Sequence, residues 1–311
     1  MTRAGFTAII GAPNAGKSTL TNRLVGAKVS IVTQKVQTTR FPVRGVAMVG
    51  DAQIVLVDTP GIFQPRRRLD RAMIRAAWGG AEDADAVVHL VDAAAEIAVA
   101  EPGAAKPADK RAVIDVETIV EGLKSASRKA ILALNKVDAV KRENLLELSQ
   151  RLFETGVYSE VFMVSATTGS GVEDLKTRLA ELMPEGPWFY PEDQTADLPT
   201  RLLAAEITRE KVYLRVHEEL PYSAAVETTK FEERKDGGVR IEQTIYVERE
   251  SQRPIILGKG GQTLKWIGQK SREELTVILD RPVHLFLHVQ VDERWADKRE
   301  FYGDVGLDFD V

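Results

Sequence analysis

Residues 11–18 read GAPNAGKS. They follow a short apolar run, Phe6 to Ile10, and lead into KSTLTNRLV, a helix-forming stretch. This is the strand, G-x-x-x-x-G-K-[ST], helix order of a phosphate-binding P-loop. Glycines let the backbone wrap closely around a phosphate chain. The exposed N–H groups and the helix N-terminus then face the anion. In this pattern Lys17 reaches the β- and γ-phosphates and Ser18 holds Mg²⁺. The expected phosphate set is Gly11, Ala12, Pro13, Asn14, Ala15, Gly16, Lys17, Ser18 and Thr19.

Further signals lie downstream at the ends of strand-like runs. Asp58-Thr59-Pro60-Gly61 follows the apolar stretch 54–57, IVLV. An aspartate there can take Mg²⁺, usually through water, and the Gly61 N–H is free to sense a γ-phosphate. Asn135-Lys136-Val137-Asp138 follows AILAL. The Asp138 carboxylate can accept from guanine N1–H and the 2-amino group, two donors that adenine lacks. Leaving a charged group unpaired costs about 1–3 kcal/mol or more, so the base is selected. Asn135 is expected to tie this loop to the P-loop and Lys136 to cover the base. Ser165-Ala166-Thr167, after VFMV, supplies a backbone N–H for guanine O6. The segment VSIVTQKVQTTRFPV (29–43) must bring a hydroxyl to Mg²⁺. Thr38 and Thr39 are the candidates.

Apolar runs at FTAII, VRGVAMVG, IVLV, AVVHLV, AILAL and VFMV alternate with helical stretches. That order predicts an α/β fold, a mostly parallel six-stranded sheet with helices on both faces. Only Asp51, Ala52 and Gln53 join the second and third runs, so one strand is expected to be antiparallel. Residues 93–109, AAAEIAVAEPGAAKPAD, read as a surface loop. The proline-rich stretch 183–199 reads as an interdomain linker. The expected division is 1–184, linker 185–200, a second domain 201–292 and a tail 293–311.

The second domain reads helix, strand, strand, helix, helix, strand, an α+β order. Its helix lies at 201–216, with Leu202, Ala205, Ile207 or Thr208, Val212 and Val216 near one face. Its first strand starts near Tyr222, and its hairpin turns at Asp236-Gly237-Gly238. Gly258-Lys259-Gly260-Gly261 sits between helical stretches, the G-x-x-G turn with which a KH domain approaches a nucleic-acid backbone. From Ser251 to Arg281 six Lys or Arg face three acids, although the chain carries a net charge of −4. A local basic face therefore exists within an acidic protein. Ile255, Ile256 and Leu257 are expected to shape the groove for bases. The expected RNA contacts are Ile256, Leu257, Gly258, Lys259, Gly260, Gly261 and Lys265.

Composition closes other routes. Cysteine is absent, which excludes disulfides and thiolate metal sites. His284 and His288 share a strand face about 13 Å apart, too far for one metal. No apolar run reaches membrane-spanning length, and the N-terminal stretch is too short to read as a secretory signal.

The four nucleotide elements follow the order seen in GTPases of the translation-factor class. With one type II KH domain after them, the chain resembles the bacterial Era GTPases over almost its whole length. The resemblance implies GTP hydrolysis, Mg²⁺ as cofactor, and binding of the 3′ end of 16S ribosomal RNA in 30S subunit maturation. It also implies a cytoplasmic monomer, with peripheral contact to the inner face of the membrane as a further location. Thr39 is favoured over Thr38 because relatives with a TTR sequence use the threonine beside the arginine. Ras-like enzymes place a water-orienting glutamine where this chain has Ile62. Related GTPases with a hydrophobic residue there bind K⁺ through the asparagine equivalent to Asn14. The expected catalytic set is therefore Lys17, Asn14, Thr39 and Gly61, with Mg²⁺ at Ser18, Thr39 and Asp58 and K⁺ as activator. Two other readings compete: an RNA-binding assembly factor in which hydrolysis is incidental, and a membrane-associated signalling GTPase.

Overall fold

The structure is a computed structural model that describes residues 1–33, 35, 37–216 and 224–311. The chain divides into two compact units, Met1–Asp197 with Asp310–Val311, and Leu198–Phe309.

The first unit opens with β1 (Arg3–Ile10) and α1 (Lys17–Val25). A hairpin follows, β2 (Val43–Val49) and β3 (Ala52–Asp58), then α2 (Arg68–Asp83) and β4 (Ala86–Asp92). After these come α3 (Ala93–Ala100), α4 (Pro107–Ser125), β5 (Ala130–Asn135), α5 (Arg142–Phe153), β6 (Tyr158–Met163) and α6 (Val172–Leu182). The sheet order is β6-β5-β4-β1-β3-β2-β7, where β7 is the two-residue strand Ala196–Asp197. As the short link requires, β2 runs antiparallel to β3, and the pairs β1–β3, β1–β4, β4–β5 and β5–β6 are parallel. Alternate strand residues feed two cores. Ala8, Ile10, Leu132 and Leu134 pack with Ala77, Ile119 and Leu148 on one face. Ile9, Ile54, Leu56 and Leu90 pack with Leu20, Leu24 and Leu179 on the other. The chain leaves β1 between β3 and β4, the crevice where a doubly wound sheet takes its ligand.

Two expectations are corrected here. Residues 93–109 are not a loop, because α3 and the start of α4 occupy most of them. Alanine is the strongest helix former. Asp92 caps α3 by accepting from Ala94 N and Ala95 N at 3.0 and 3.2 Å. Pro107 stands in the first turn of α4, where its missing N–H costs nothing. The buried Glu96 of α3 is fastened by Arg151 of α5 at 2.6 Å. The stretch expected as linker is likewise docked up to Asp197 on the first unit, giving a seventh strand. Gln53, fully buried in β3, accepts from Phe189 N and Tyr190 N and donates to Tyr190 O. Phe189 packs against Phe6 with ring centroids 5.0 Å apart, and Arg44 of β2 pairs with Asp197. Proline content marks an irregular backbone correctly but says nothing about whether that backbone is docked.

His89 of β4 is buried, with Nδ1 at 2.8 Å from the Tyr158 hydroxyl. Its Nε2 has no hydrogen-bond partner among the described residues. Burial, with the Lys17 charge nearby, holds its pKa down at about 3. The folded state therefore keeps His89 neutral where the unfolded chain takes up a proton. Its stability contribution is complete above pH 6.5 and is lost as pH falls toward 3. Urea unfolding between about pH 7.5 and 5 is expected to show this. The double variant His89→Phe/Tyr158→Phe removes both partners and should flatten the profile by about one proton, ~1.4 kcal/mol per pH unit.

The second unit contains α7 (Thr200–Arg215), β8 (Ala224–Glu233), β9 (Val239–Val247), α8 (Arg253–Leu257), α9 (Gln262–Leu279), β10 (Val283–Val291) and α10 (Arg299–Asp304). Its sheet order is β10-β9-β8, with β9 parallel to β10 and antiparallel to β8. The start expected for the first strand, Tyr222, lies outside the described residues. Ala205, Val212 and Val216 of the α7 region join Ile245, Val247, Ile256 and Ile267 in one core. Thr208 instead donates to buried Gln243 at 2.6 Å. Among the described residues no helix is long and apolar enough to cross a membrane.

Candidate nucleotide site and RNA interface

The loop between β1 and α1 is shaped by its glycines. Gly16 has φ +99°, and a Cβ there would lie 2.4 Å from Asn135 Nδ2. Gly61 comes so close to Pro13 that a Cβ would meet its backbone at 3.0 Å. Asn14 also holds a left-handed conformation, φ +62°, and is exposed. Lys17 is buried, and its ammonium donates to Gly11 O and Ala12 O at 3.0 and 2.9 Å. Burial pulls its pKa down to about 8, against the opposing charges of Asp58 and Asp115. A cation held this way is poised for an incoming polyanion, which would lift its pKa again.

Three expected metal ligands converge. Ser18 Oγ donates to Asp58 Oδ2 at 2.7 Å and lies 2.9 Å from Thr39 Oγ1. Thr39 Oγ1 also reaches Asp58 Oδ2, at 3.3 Å. Thr38 does not join them: its hydroxyl donates to Lys35 O at 2.7 Å and contacts Thr33 Oγ1 at 2.6 Å. Asp58 is fully buried, and its Oδ1 has no hydrogen-bond partner among the described residues. Burial raises its pKa, opposed by the Ser18 hydrogen bond, the Lys17 charge and the Thr39 hydroxyl. A hydrated Mg²⁺ fits this donor set of two hydroxyls and one carboxylate. Among the described residues no all-carboxylate or histidine cluster offers an alternative metal site.

Thr59 Oγ1 donates to Ile9 O at 2.7 Å and, with buried Pro60, fixes the turn that presents Gly61. Ile62 points away from the cleft: its side chain lies in the core and its N–H donates to Gly11 O at 3.1 Å. The cleft, a cavity of about 50 Å³, is lined by Pro13, Asn14, Lys17, Ser18, Thr39 and Gly61, and also by Ile31, Val32, Thr33, Lys35 and Gln37. Sequence reasoning missed those last five, because no spacing rule singles out side chains in an irregular segment.

The base side is equally defined. Asn135 Nδ2 donates to Ala15 O at 2.7 Å, the expected tie to the P-loop, and its Oδ1 accepts from Ala166 N at 3.0 Å. Lys136 adopts φ +64° and pairs with Asp92. Asp138 stands exposed on the short 3₁₀ turn Val137–Ala139. Ser165 is buried, and its N–H is taken by Ser170 O at 2.9 Å. Since Asn135 engages Ala166, Thr167 is left with the N–H that has no bond among the described residues. Arg23 of α1, which no motif marks, holds this loop by donating to Ala166 O and Thr167 O.

In the second unit, Gly258 has φ +72°, and a Cβ would lie 2.3 Å from Thr263 Oγ1. Gly260 and Gly261 have φ +61° and +77°, with open space where a Cβ would stand. Two successive left-handed glycines make a backbone turn that another backbone can approach closely. Lys259 and Lys265 are exposed beside it. One expected RNA contact is corrected. Ile256 is fully buried in the core, whereas Ile255 is 52% exposed. The short helix α8 must bury one apolar side chain, and its period turns the preceding one outward.

These features define a P-loop GTPase unit followed by a KH unit. A profile of the family described as 50S ribosome-binding GTPase matches residues 6–136, and a KH-domain profile matches residues 219–296. GTPase Era of Caulobacter vibrioides is 74% identical over 310 residues, covering 100% of this chain and 98% of the relative. GTPase Era of Maricaulis maris is 62% identical over 309 residues, covering 99% and 98%. The crystal structure of a point variant of Aquifex aeolicus Era bound to GDP·AlF₄⁻ is 36% identical, with a TM-score of 0.87 over 98% of this chain and 99% of that one. An Era structure in complex with MgGDPNP and nucleotides 1506–1542 of 16S ribosomal RNA matches at 37% identity, with the same TM-score and coverage. The chain belongs to the bacterial Era GTPase family and hydrolyses GTP.

Proposed function

We propose that the protein is a GTP-controlled clamp on the 3′ end of 16S ribosomal RNA and acts in assembly of the 30S subunit. One correspondence carries this reading: the Era structure that holds both MgGDPNP and 16S nucleotides 1506–1542 matches 98% of this chain. In the GTP-bound state Lys17 exchanges the carbonyls of Gly11 and Ala12 for the β- and γ-phosphates. The N–H groups of residues 14–19 cradle the phosphate chain. Ser18, Thr39 and water on Asp58 hold Mg²⁺, which would neutralise charge developing between the β- and γ-oxygens. Thr39 and the Gly61 N–H then report whether the γ-phosphate is present. Asp138 reads N1–H and the 2-amino group, and Thr167 N–H is the donor for O6. In the second unit, residues 258–261 with Lys259 and Lys265 receive the RNA backbone, and Ile255 and Leu257 border the bases.

Burial of Ile62 supports a chemistry without a water-orienting side chain. Positioning and fixed charge must suffice, so unassisted turnover is slow. Asn14, exposed at the mouth of the cleft, is assigned to a K⁺ ion. GTP turnover is expected to be faster in KCl than in equal NaCl, and Asn14→Ala should abolish the difference. Equal rates in the two salts would remove K⁺ from the account. The working location is the cytoplasm, and the working unit a monomer. Crosslinking to total cellular RNA with a GTP analogue or GDP bound, followed by mapping, tests the whole reading. Crosslinks should concentrate at the 16S 3′ end in the analogue-bound state. An even spread over ribosomal RNA would overturn it.

A further inference from the structure

The stretch Arg66–Arg75 carries five arginines, at 66, 67, 68, 71 and 75, against one acid, Asp70. In α2, Leu69, Met73 and Ala77 are buried on one face. Arg68, Arg71 and Arg75 follow an i, i+3, i+7 spacing on the other, spanning roughly 10 Å. Arg66, Arg67, Arg71 and Arg75 are exposed, and Arg68 is half-buried.

Helix stability does not account for this placement. The N-terminal end of a helix favours negative charge, and its C-terminal end positive charge. Here the arginines crowd the N-terminal half, while Glu82 and Asp83 close the C-terminal end. Like charges three and four residues apart also repel. The arrangement suits an external polyanion. A membrane surface fits less well, because an interfacial helix needs an apolar face to insert and that face of α2 is buried in the core. A phosphodiester backbone needs only charge and the guanidinium fork, which pairs with phosphate in bidentate fashion.

The patch is also tied to the nucleotide cleft. Asp70 Oδ2 accepts from Arg66 N and Arg67 N, each at 3.0 Å, and its Oδ1 accepts from Gln37 Nε2 at 3.2 Å. Gln37 lies two residues before Thr39 and holds φ +56°. Arg71 donates to Val311 O at 3.4 Å, a long contact that a phosphate would replace.

We propose that Arg67, Arg68, Arg71 and Arg75 form a second RNA contact, to the phosphate backbone, on the GTPase unit. The proposal rests on the RNA-clamp reading above. The test measures affinity for an RNA spanning 16S nucleotides 1506–1542, from about 50 to 300 mM KCl, with GDPNP bound. Arg71→Gln/Arg75→Gln should weaken binding at least tenfold at the lowest salt. It should also flatten the slope of log K against log salt by about 1.4, two contacts at ~0.7 each for single-stranded RNA. Arg71→Lys/Arg75→Lys should restore most of the slope. Retained GDP binding shows that each variant is folded. Gly260→Asp, in the KH turn, separates the two claims. If it abolishes RNA binding while the glutamine pair changes neither slope nor affinity, the α2 contact is wrong and the clamp stands. If it leaves RNA binding intact, the clamp reading itself falls. Loss of binding to vesicles containing phosphatidylglycerol in the glutamine pair, with RNA binding unchanged, would reassign the patch to lipid and also overturn the proposal.

Discussion

Lys17→Ala is expected to lower GTP turnover by at least roughly 10²–10³-fold, the scale of losing one preorganised charge donor at a transition state. The expectation follows from where the ammonium sits. It is buried at the turn of the P-loop and held by two carbonyls that can release it to phosphate oxygens. Its depressed pKa reflects desolvation of the buried ammonium. Removing it leaves the triphosphate facing Asp58 with its main counter-charge gone. Single-turnover hydrolysis at saturating GTP isolates the chemical step from binding. The unliganded variant should remain folded, because alanine removes a desolvated charge rather than a core contact. A variant that turns over GTP within threefold of the parent would show that Lys17 is not the phosphate ligand.

Asp138→Asn is expected to cost GTP affinity at least about 10²-fold and to transfer preference to xanthosine triphosphate. The carboxylate offers two acceptors, matching N1–H and the 2-amino group of guanine. An amide offers one acceptor and one donor, matching N1–H and the 2-oxo group of xanthine. Sites built on such bonds reject a mismatched base strongly because buried partners are left unpaired. The surrounding frame is unaffected: Asn135 still bridges Ala15 and Ala166, and Arg23 still holds the 165–167 loop. Competition among GTP, XTP and ATP for a fluorescent guanine nucleotide checks this. Unchanged selectivity would place base recognition elsewhere.

Residues whose role follows from backbone geometry are legible from the chain alone. The P-loop, the Asp58 turn, the Asn135 loop and the KH turn each announce themselves by glycine or by a strand-end position. Resemblance favours Thr39 over Thr38; Thr39 Oγ1 lies against Asp58 Oδ2, whereas the Thr38 hydroxyl donates to Lys35 O, a difference of packing that no motif announces. Harder to read are features decided by packing between distant segments. Gln53 docks residues 189–190 across a separation of 136 to 137 positions, and nothing local in either segment foretells it. Ile256 and Ile255 are chemically alike, so only the register of a five-residue helix decides which is buried. Residues 93–109 mislead a reading that weighs Pro and Gly above alanine and the Asp92 cap.

The central claim is that the γ-phosphate state sets the grip on RNA. Within the first unit the path is short. Thr39 meets Ser18 and Asp58 at the proposed metal site, and Gln37, two residues earlier, donates to Asp70 at the start of α2. On the proposed reading, loss of the γ-phosphate would free Thr39 and with it the tether on α2. The most direct measurement is the affinity of the intact protein for RNA spanning 16S nucleotides 1506–1542, with GDPNP or GDP bound, in the same buffer. The account predicts binding at least tenfold tighter with GDPNP, about 1.4 kcal/mol of coupling. Equal affinities in the two states would contradict it.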